Sequence, residues 1–238
     1  MGAPIQTPSR RERLRATTTA EIKQVALDLV ADSGPDAISL RAIAREMGMT
    51  ANAIYSYFPT RDDLVTALIG DLYTSLVDAL EAAADAEPAS DPARRLLAWS
   101  DSFRAWALAH PSGFRLLAGD PVPGYRAPEG GPAPEAERRF CAGLTAIVAA
   151  AWPDAEAGQP EEAYDWSEFD DDLVATARRR SPDLPPAGVA LALRIWARMH
   201  GLVSLEIHGR LGTKTSDPGK LYRTEMQDLV RSLGLGSP

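Results

Sequence analysis

The chain reads as all-α: a small N-terminal unit of three helices followed by a larger helical body. Three observations predict this. Apolar residues recur at helical spacing in one segment after another, most plainly at Leu64, Leu68, Leu72, Leu76 and Leu80. Helix-opening signals precede these stripes, at Thr18 to Glu21, Thr60 to Asp63, Asp91-Pro92 and Asp217-Pro218. Between Ser39 and Phe58, two brief stripes lie on either side of a turn that contains Gly48.

Residues 1–16 carry Pro4, Pro8 and the cluster Arg10, Arg11, Arg13 and Arg15, with few large apolar side chains, and read as a flexible basic arm. Such an arm either reaches phosphates and an adjacent minor groove or is simply a solvated tail. Thr18-Thr19-Ala20-Glu21 then has capping-box spacing, and Ile22, Val25, Ala26, Leu29 and Val30 follow on one helical face. Ser33-Gly34-Pro35 ends this first helix, which is expected to pack across the next two.

The second helix opens at Ser39, presents Leu40, Ile43, Ala44 and Met47 inward, and stops at Gly48. Thr50 caps a third helix whose inner face is Ile54 and Phe58. Two short helices about a Gly-containing turn form a helix-turn-helix. Arg41, Ala51, Asn52, Ala53, Tyr55, Ser56 and Tyr57 are left facing outward, a surface small and polar enough to enter a groove.

At IAREMGMTANAIYSYFPTRDDLV the chain resembles the TetR family of bacterial transcriptional regulators, and AHPSGFRLL and RIWARMHGLVSLEIHG in the body resemble actinobacterial members. The family pattern runs roughly T-x-x-x-I-A-x-x-A-G-V-S-x-G-x-L-Y-x-H-F-x-x-K-x-x-L. Ser39 stands at the Thr, Ile43-Ala44 match, Gly48-Met49-Thr50 stand for Gly-Val-Ser, and Ile54-Tyr55 for Leu-Tyr. Tyr57-Phe58 replaces His-Phe, Arg61 replaces Lys, Asn52 departs from the common Gly and Met47 from the common Ala. The resemblance implies a DNA-binding domain over residues 17–62 and a ligand-binding and dimerisation domain over 63–238. It also implies that Arg41, Ala51, Asn52, Ala53 and Ser56 face base edges, while Ser39, Thr50, Tyr55, Tyr57 and Arg61 position phosphates.

The helix after the Thr60 capping box extends for about five turns and can link the DNA reader to the body. Asp91-Pro92 opens a further helix with Leu96, Trp99, Phe103, Trp106 and His110 at spacings of three and four, followed after Pro111 by Phe114 and Leu117. This aromatic stripe is either core or, as family members imply, the lining of a small-molecule pocket completed by Trp196, Met199 and His200. Asp120 to Pro134 is a Pro/Gly-rich loop, and Ala136 to Ala151 a buried helix. An acidic connection runs to Glu168, and Asp170 to Asp172 open a helix ending near Arg180. Pro185-Pro186 precedes the most apolar helix, Val189 to Arg210, with large residues on two faces; Asp217-Pro218 opens the last. In the family the two final helices form the dimer's four-helix bundle, which implies an interface of Val203, Ile207, Tyr222, Met226, Leu229, Val230 and Leu233 in a two-fold homodimer.

Composition bounds the function. The chain has 238 residues and a net charge of −8. Residues 1–61 hold eight Lys/Arg against six Asp/Glu, whereas the remainder holds seventeen against twenty-seven, so the N-terminal end is the one that can face phosphate. With no long apolar run and no leader, the protein is expected to be soluble, cytoplasmic and without a membrane partner. The single Cys141, in apolar surroundings, reads as a structural thiol. Adjacent carboxylates on a helix diverge, and His200 and His208 lie two turns apart, so neither group predicts a metal site. No nucleophile–base pair or cofactor fingerprint is present, and neither an enzyme nor a cofactor is expected. The expected function is therefore a repressor that binds a palindromic operator in double-stranded DNA as a homodimer and is released by a small apolar or aromatic effector. An activator or corepressor-dependent member of the same family, or a small-molecule-binding helical protein that does not read DNA, are the alternatives.

Overall fold

The computed structural model describes residues 9–119, 122–159 and 164–235. Among these residues there are ten α-helices and no strand: α1 (Arg10–Ser33), α2 (Leu40–Glu46), α3 (Ala51–Tyr55), α4 (Arg61–Asp85), α5 (Pro92–Ala109), α6 (Pro111–Ala118), α7 (Pro134–Ala155), α8 (Asp171–Arg180), α9 (Pro186–Ile207) and α10 (Pro218–Ser232). Short 3₁₀ turns occur at Pro35–Ala37, Glu156–Gly158 and Trp166–Glu168. The chain divides into two compact units, Met1–Ile69 with Ser112–Pro132, and Gly70–Pro111 with Ala133–Pro238. The first unit thus extends past the expected boundary at residue 62 and recruits a segment from much later in the chain.

In the first unit α1, α2 and α3 meet on Ile22, Ala26 and Val30, on Ile43, and on Ile54, all buried. Burying one such aliphatic side chain contributes about 1.5–3 kcal/mol, which gives these short helices a stability they lack alone. The first helix starts earlier than its sequence suggests. Ser9 is the N-cap: its hydroxyl accepts from the Glu12 amide at 3.2 Å, and the Glu12 carboxylate accepts from the Ser9 amide at 2.7 Å. The sequence contains two capping boxes nine residues apart, and the upstream one opens the helix. Thr17 and Thr19 return their hydroxyls to the carbonyls of Arg13 and Arg15, which helix interiors tolerate. Residues 10–16, expected to be a flexible arm, are therefore two exposed helical turns carrying all four arginines, and residues 1–8 lie outside the described residues.

The second unit is cored by the leucine run of α4 beyond residue 70 (Leu72, Leu76, Leu80), by Trp99, Phe103 and Trp106 of α5, and by the inner faces of α7, α9 and α10. Polar contacts fix the packing. Trp106 donates its indole N–H to Ser75 at 3.1 Å, and the Tyr222 hydroxyl donates to the Ser100 carbonyl at 2.8 Å. Arg104 of α5 forks onto Glu206 of α9 through two bonds of 2.8 and 2.6 Å. α7 continues through Pro153 to Ala155, and Asp170 caps α8 by accepting from the Asp172 and Leu173 amides. The acidic run there serves as helix opening and solvated face.

Candidate nucleic-acid interface and body cavity

The second helix of the helix-turn-helix, α3, is only five residues long, so its position depends on its ends. At its N-terminal side, α2 closes in a Schellman motif: the Met49 amide donates to the Ala44 carbonyl at 2.8 Å and the Gly48 amide to Arg45 at 3.2 Å. Gly48 has φ of 63°, a left-handed conformation that a side chain would strain. Thr50 then caps α3 by accepting from the Ala53 amide at 3.2 Å. At the far end, Ser56 donates to the Ala53 carbonyl at 2.7 Å, and Arg15 of α1 donates to the Ser56 carbonyl at 2.9 Å. The same guanidinium lies 4.8 Å above the Tyr57 ring. Arg15 was missed as a positioning residue because its contact with position 56 spans 41 positions, and its basic neighbours resemble a tail.

With α3 held at both ends, its outer face is free. Arg41, Ala51, Asn52, Tyr55 and Ser56 are exposed, Ala53 and Tyr57 are half-buried, and the side chains of Arg41, Asn52 and Tyr55 have no protein partner among the described residues. Ser39 occupies the N-cap of α2, yet its hydroxyl makes no capping bond. Thr50, by contrast, has its hydroxyl committed to α3.

Arg61, expected at a phosphate, is partly engaged within its own unit. Its Nε donates to the Ile38 carbonyl at 2.8 Å and its Nη1 to the Pro123 carbonyl at 2.9 Å. Two of its five donors are thereby committed inside the unit, at sequence separations no local pattern reveals. Around it, Tyr125 and Thr66 share a hydroxyl hydrogen bond of 2.9 Å, and the Arg126 amide donates to Asp62 at 3.3 Å. Residues 122–126, within the expected loop, form a strap bonded to the first turns of α4; Asp120 and Pro121 lie outside the described residues.

In the body, the aromatic stripe is mainly core. Trp99, Phe103, Trp106 and Met199 are buried in the second unit, and Phe114 in the first. Trp99 fits against Gly143, where a Cβ would lie 2.5 Å from its ring, so only glycine permits the approach. His110 stacks on Trp106 at 4.8 Å, His200 is half-buried with its pKa lowered by burial and then by His208, and Leu117 is half-buried. The cavity, of about 180 Å³, lies beside the stripe, between Tyr73, α7 residues Glu137, Phe140, Cys141 and Leu144, and Trp196 of α9. Of the nine expected lining residues, Trp196 alone borders it. Periodicity marks a side chain as apolar but not whether its neighbour is another side chain or a void. Cys141, expected to be buried, is half-buried at this cavity, with its thiol pKa raised by burial and then by the Glu137 charge.

The expected dimer residues are also largely internal. Val203, Tyr222, Met226, Leu229, Val230 and Leu233 are buried within the single chain, and Ile207 is half-buried. Those stripes of α9 and α10 face their own α5 and each other. What α9 leaves exposed is a different line, Leu193, Ala197, Gly201 and Leu205 at successive i, i+4 positions, with Trp196 beside it and Leu221 exposed on α10.

A short capped helix-turn-helix in one unit and an all-helical body in the other define a helix-turn-helix DNA-binding regulator. The profile of the bacterial regulatory proteins of the tetR family matches residues 22–68, and that of the tetracyclin repressor-like C-terminal domain matches residues 96–229. The chain belongs to the TetR family of transcriptional regulators. It is 32% identical over 231 residues to the HTH-type transcriptional regulator Rv1816 of Mycobacterium tuberculosis, covering 94% of this chain and 95% of that one. Among solved structures it resembles the regulatory protein SCO4313, at 36% identity and a TM-score of 0.71, over 94% of this chain and 100% of the other. A tetR-family regulatory protein from Rhodococcus RHA1 shares the fold at 18% identity, with a TM-score of 0.63 over 92% of this chain and 98% of that one. No helix among the described residues is long and apolar enough to cross a membrane.

Proposed function

We propose that this protein is a cytoplasmic repressor that binds a palindromic operator as a homodimer and leaves it when a small molecule occupies the body. The observation that carries the DNA reading is the outer face of α3 and α2, where Arg41, Asn52 and Tyr55 are exposed and unpartnered while both ends of α3 are fixed. Arg41 offers a bidentate fork to guanine, and Asn52 suits adenine. Ala51, Ala53 and Ser56 lie close enough in the helix to contact base edges, with Ser39, Thr50, Tyr55 and Tyr57 toward phosphates. Arg61 acts here chiefly by holding the strap and the entry to α2. The repressor sign follows the family of the C-terminal profile, which is named for a repressor.

The second copy is expected on the Leu193–Ala197–Gly201–Leu205 line. A Cβ at Gly201 meets nothing within 4 Å in the single chain, so another helix can approach closely there. Arg198 and Glu225, paired at 3.6 Å, supply a polar margin. Release is a population shift: a ligand that prefers the dimer with its readers wrongly spaced disfavours the DNA-bound form by at most its differential affinity.

The test is selection of bound sequences from a random DNA pool at fixed near-physiological salt. Recovery of a palindrome is the expected result, and its half-site spacing gives the distance between reading helices. Retention that falls uniformly with salt and enriches no sequence would mean that α3 does not read bases.

A further inference from the structure

We propose that the body cavity selects a small, singly positively charged ligand built on one ring, with Glu137 as its counter-ion. This deepens the preceding section and rests on its reading of the body as the sensor.

Size comes first. The cavity measures about 180 Å³, only slightly more than the roughly 150 Å³ engineered cavity that accommodates benzene. It therefore holds one ring with a short substituent, and one side, at Glu137 and Trp196, is open to solvent. Its lining is predominantly apolar, with Phe140, Leu144 and Val189 among the residues that would pack on such a ring.

The polar groups decide the charge. Thr145 borders the cavity, but its hydroxyl already donates to the Cys141 carbonyl at 2.6 Å. The Cys141 thiol and the Tyr73 phenol are both held protonated by burial, with the Glu137 charge acting in the same direction. Glu137 is the one carboxylate in the lining; it is exposed at the edge of the cavity, and among the described residues its side chain has no hydrogen bond or ion pair. Its two basic neighbours are spent elsewhere: Arg138 on Glu135 at 2.6 Å, and Arg139 on Asp78 at 2.7 Å and on Glu81. The part of Glu137 that is covered by its neighbours raises its pKa, and the Arg138 charge partly offsets this. A cationic head group would pair with Glu137, and the Trp196 ring at the cavity adds a face on which a cation can rest. An anionic ligand would be repelled by the carboxylate, and a neutral one would gain nothing from it.

The experiment uses the full-length protein without DNA, so it is independent of whether α3 reads bases. Benzylamine, benzyl alcohol and benzoate share a ring and carry positive, zero and negative charge at pH 7. Their affinities are measured by equilibrium dialysis and ligand-observed NMR. Wild type is expected to bind benzylamine about tenfold or more tighter than benzyl alcohol, the scale of a charge-assisted hydrogen bond, and benzoate weakest. Glu137→Gln should reduce the amine to the level of the alcohol and leave the alcohol unchanged, whereas Glu137→Asp should retain the preference. Equal affinity for amine and alcohol in wild type, a preference that survives Glu137→Gln, or no binding of any of the three would each overturn the proposal. Whether benzylamine then displaces operator DNA is a separate measurement that tests the release mechanism alone.

Discussion

α3 and α9 each present an open face, and the two faces have opposite chemistry. α3 is five residues long and exposes Asn52 and Tyr55, with Arg41 beside them, all donors without protein partners. α9 is 22 residues long and exposes leucines with Ala197 and Gly201 between them. A short helix cannot hold itself, so α3 is fixed by a Schellman turn, an N-cap and Arg15, which holds its polar face in one orientation. A long helix anchored along one side by Val189, Ala192, Ile195, Met199 and Val203 needs no such fixing, and its open line is suited to close contact with another apolar helix. The difference teaches that exposure alone does not identify a partner; the chemistry left unsatisfied does.

The sharpest way to break the comparison is to remove the core beneath one face only. Ile54→Ala, at a fully buried position, should cost about 2–5 kcal/mol and unfold the reader while the body keeps its own amide protection, which hydrogen exchange would resolve. Next, Gly201→Arg should leave the single-chain fold intact, because the site is open, and yield a monomer by sedimentation with operator affinity lost. A Gly201→Arg protein that remains dimeric would place the interface elsewhere. On the polar face, Arg41→Ala should cost roughly 1–3 kcal/mol on the operator and relax selectivity at one base pair, with unchanged melting. Unchanged affinity and selectivity would remove Arg41 from base reading.

The smallest expected effect is on pH dependence. Burial raises the pKa of Glu137 above its usual value, so the folded chain binds that proton more tightly than the unfolded one. Its contribution therefore favours folding at low pH and declines as pH rises from the ordinary glutamate range through the raised value. Asp101 shifts in the same direction, again by burial, opposed by Arg223 and then Arg104. Glu137→Gln should remove part of this decline, seen as a slightly shallower fall of melting temperature above pH 4, while the Asp101 part remains.

Much of this was legible from residues close together in the chain. The turn at Gly48, the caps at Thr50 and Thr60, and the four-residue leucine repeat of α4 are local signals, and each appears where its chemistry requires it. Three features depend on distant partners and were not legible. α1 begins at Ser9 because two capping boxes compete, and the spacing of neither reveals which wins. The stripe from Trp99 to Trp106 has the composition of a pocket but fills the core, since only the folded helices put Gly143 under Trp99 and leave the void beside Glu137. α9 has two apolar faces, and periodicity does not say which one its own chain covers. The seven residues expected at the dimer interface lie largely on the covered side.

The strap at residues 122–126 has a consequence for modular engineering. Through Arg61, Asp62 and Thr66, the reader depends on carbonyl, amide and hydroxyl groups encoded some sixty positions downstream. An excised fragment ending at Ile69 would leave those three side chains facing water. A chimera that transfers this specificity to a related body should therefore transplant Ser112–Pro132 along with the first 69 residues.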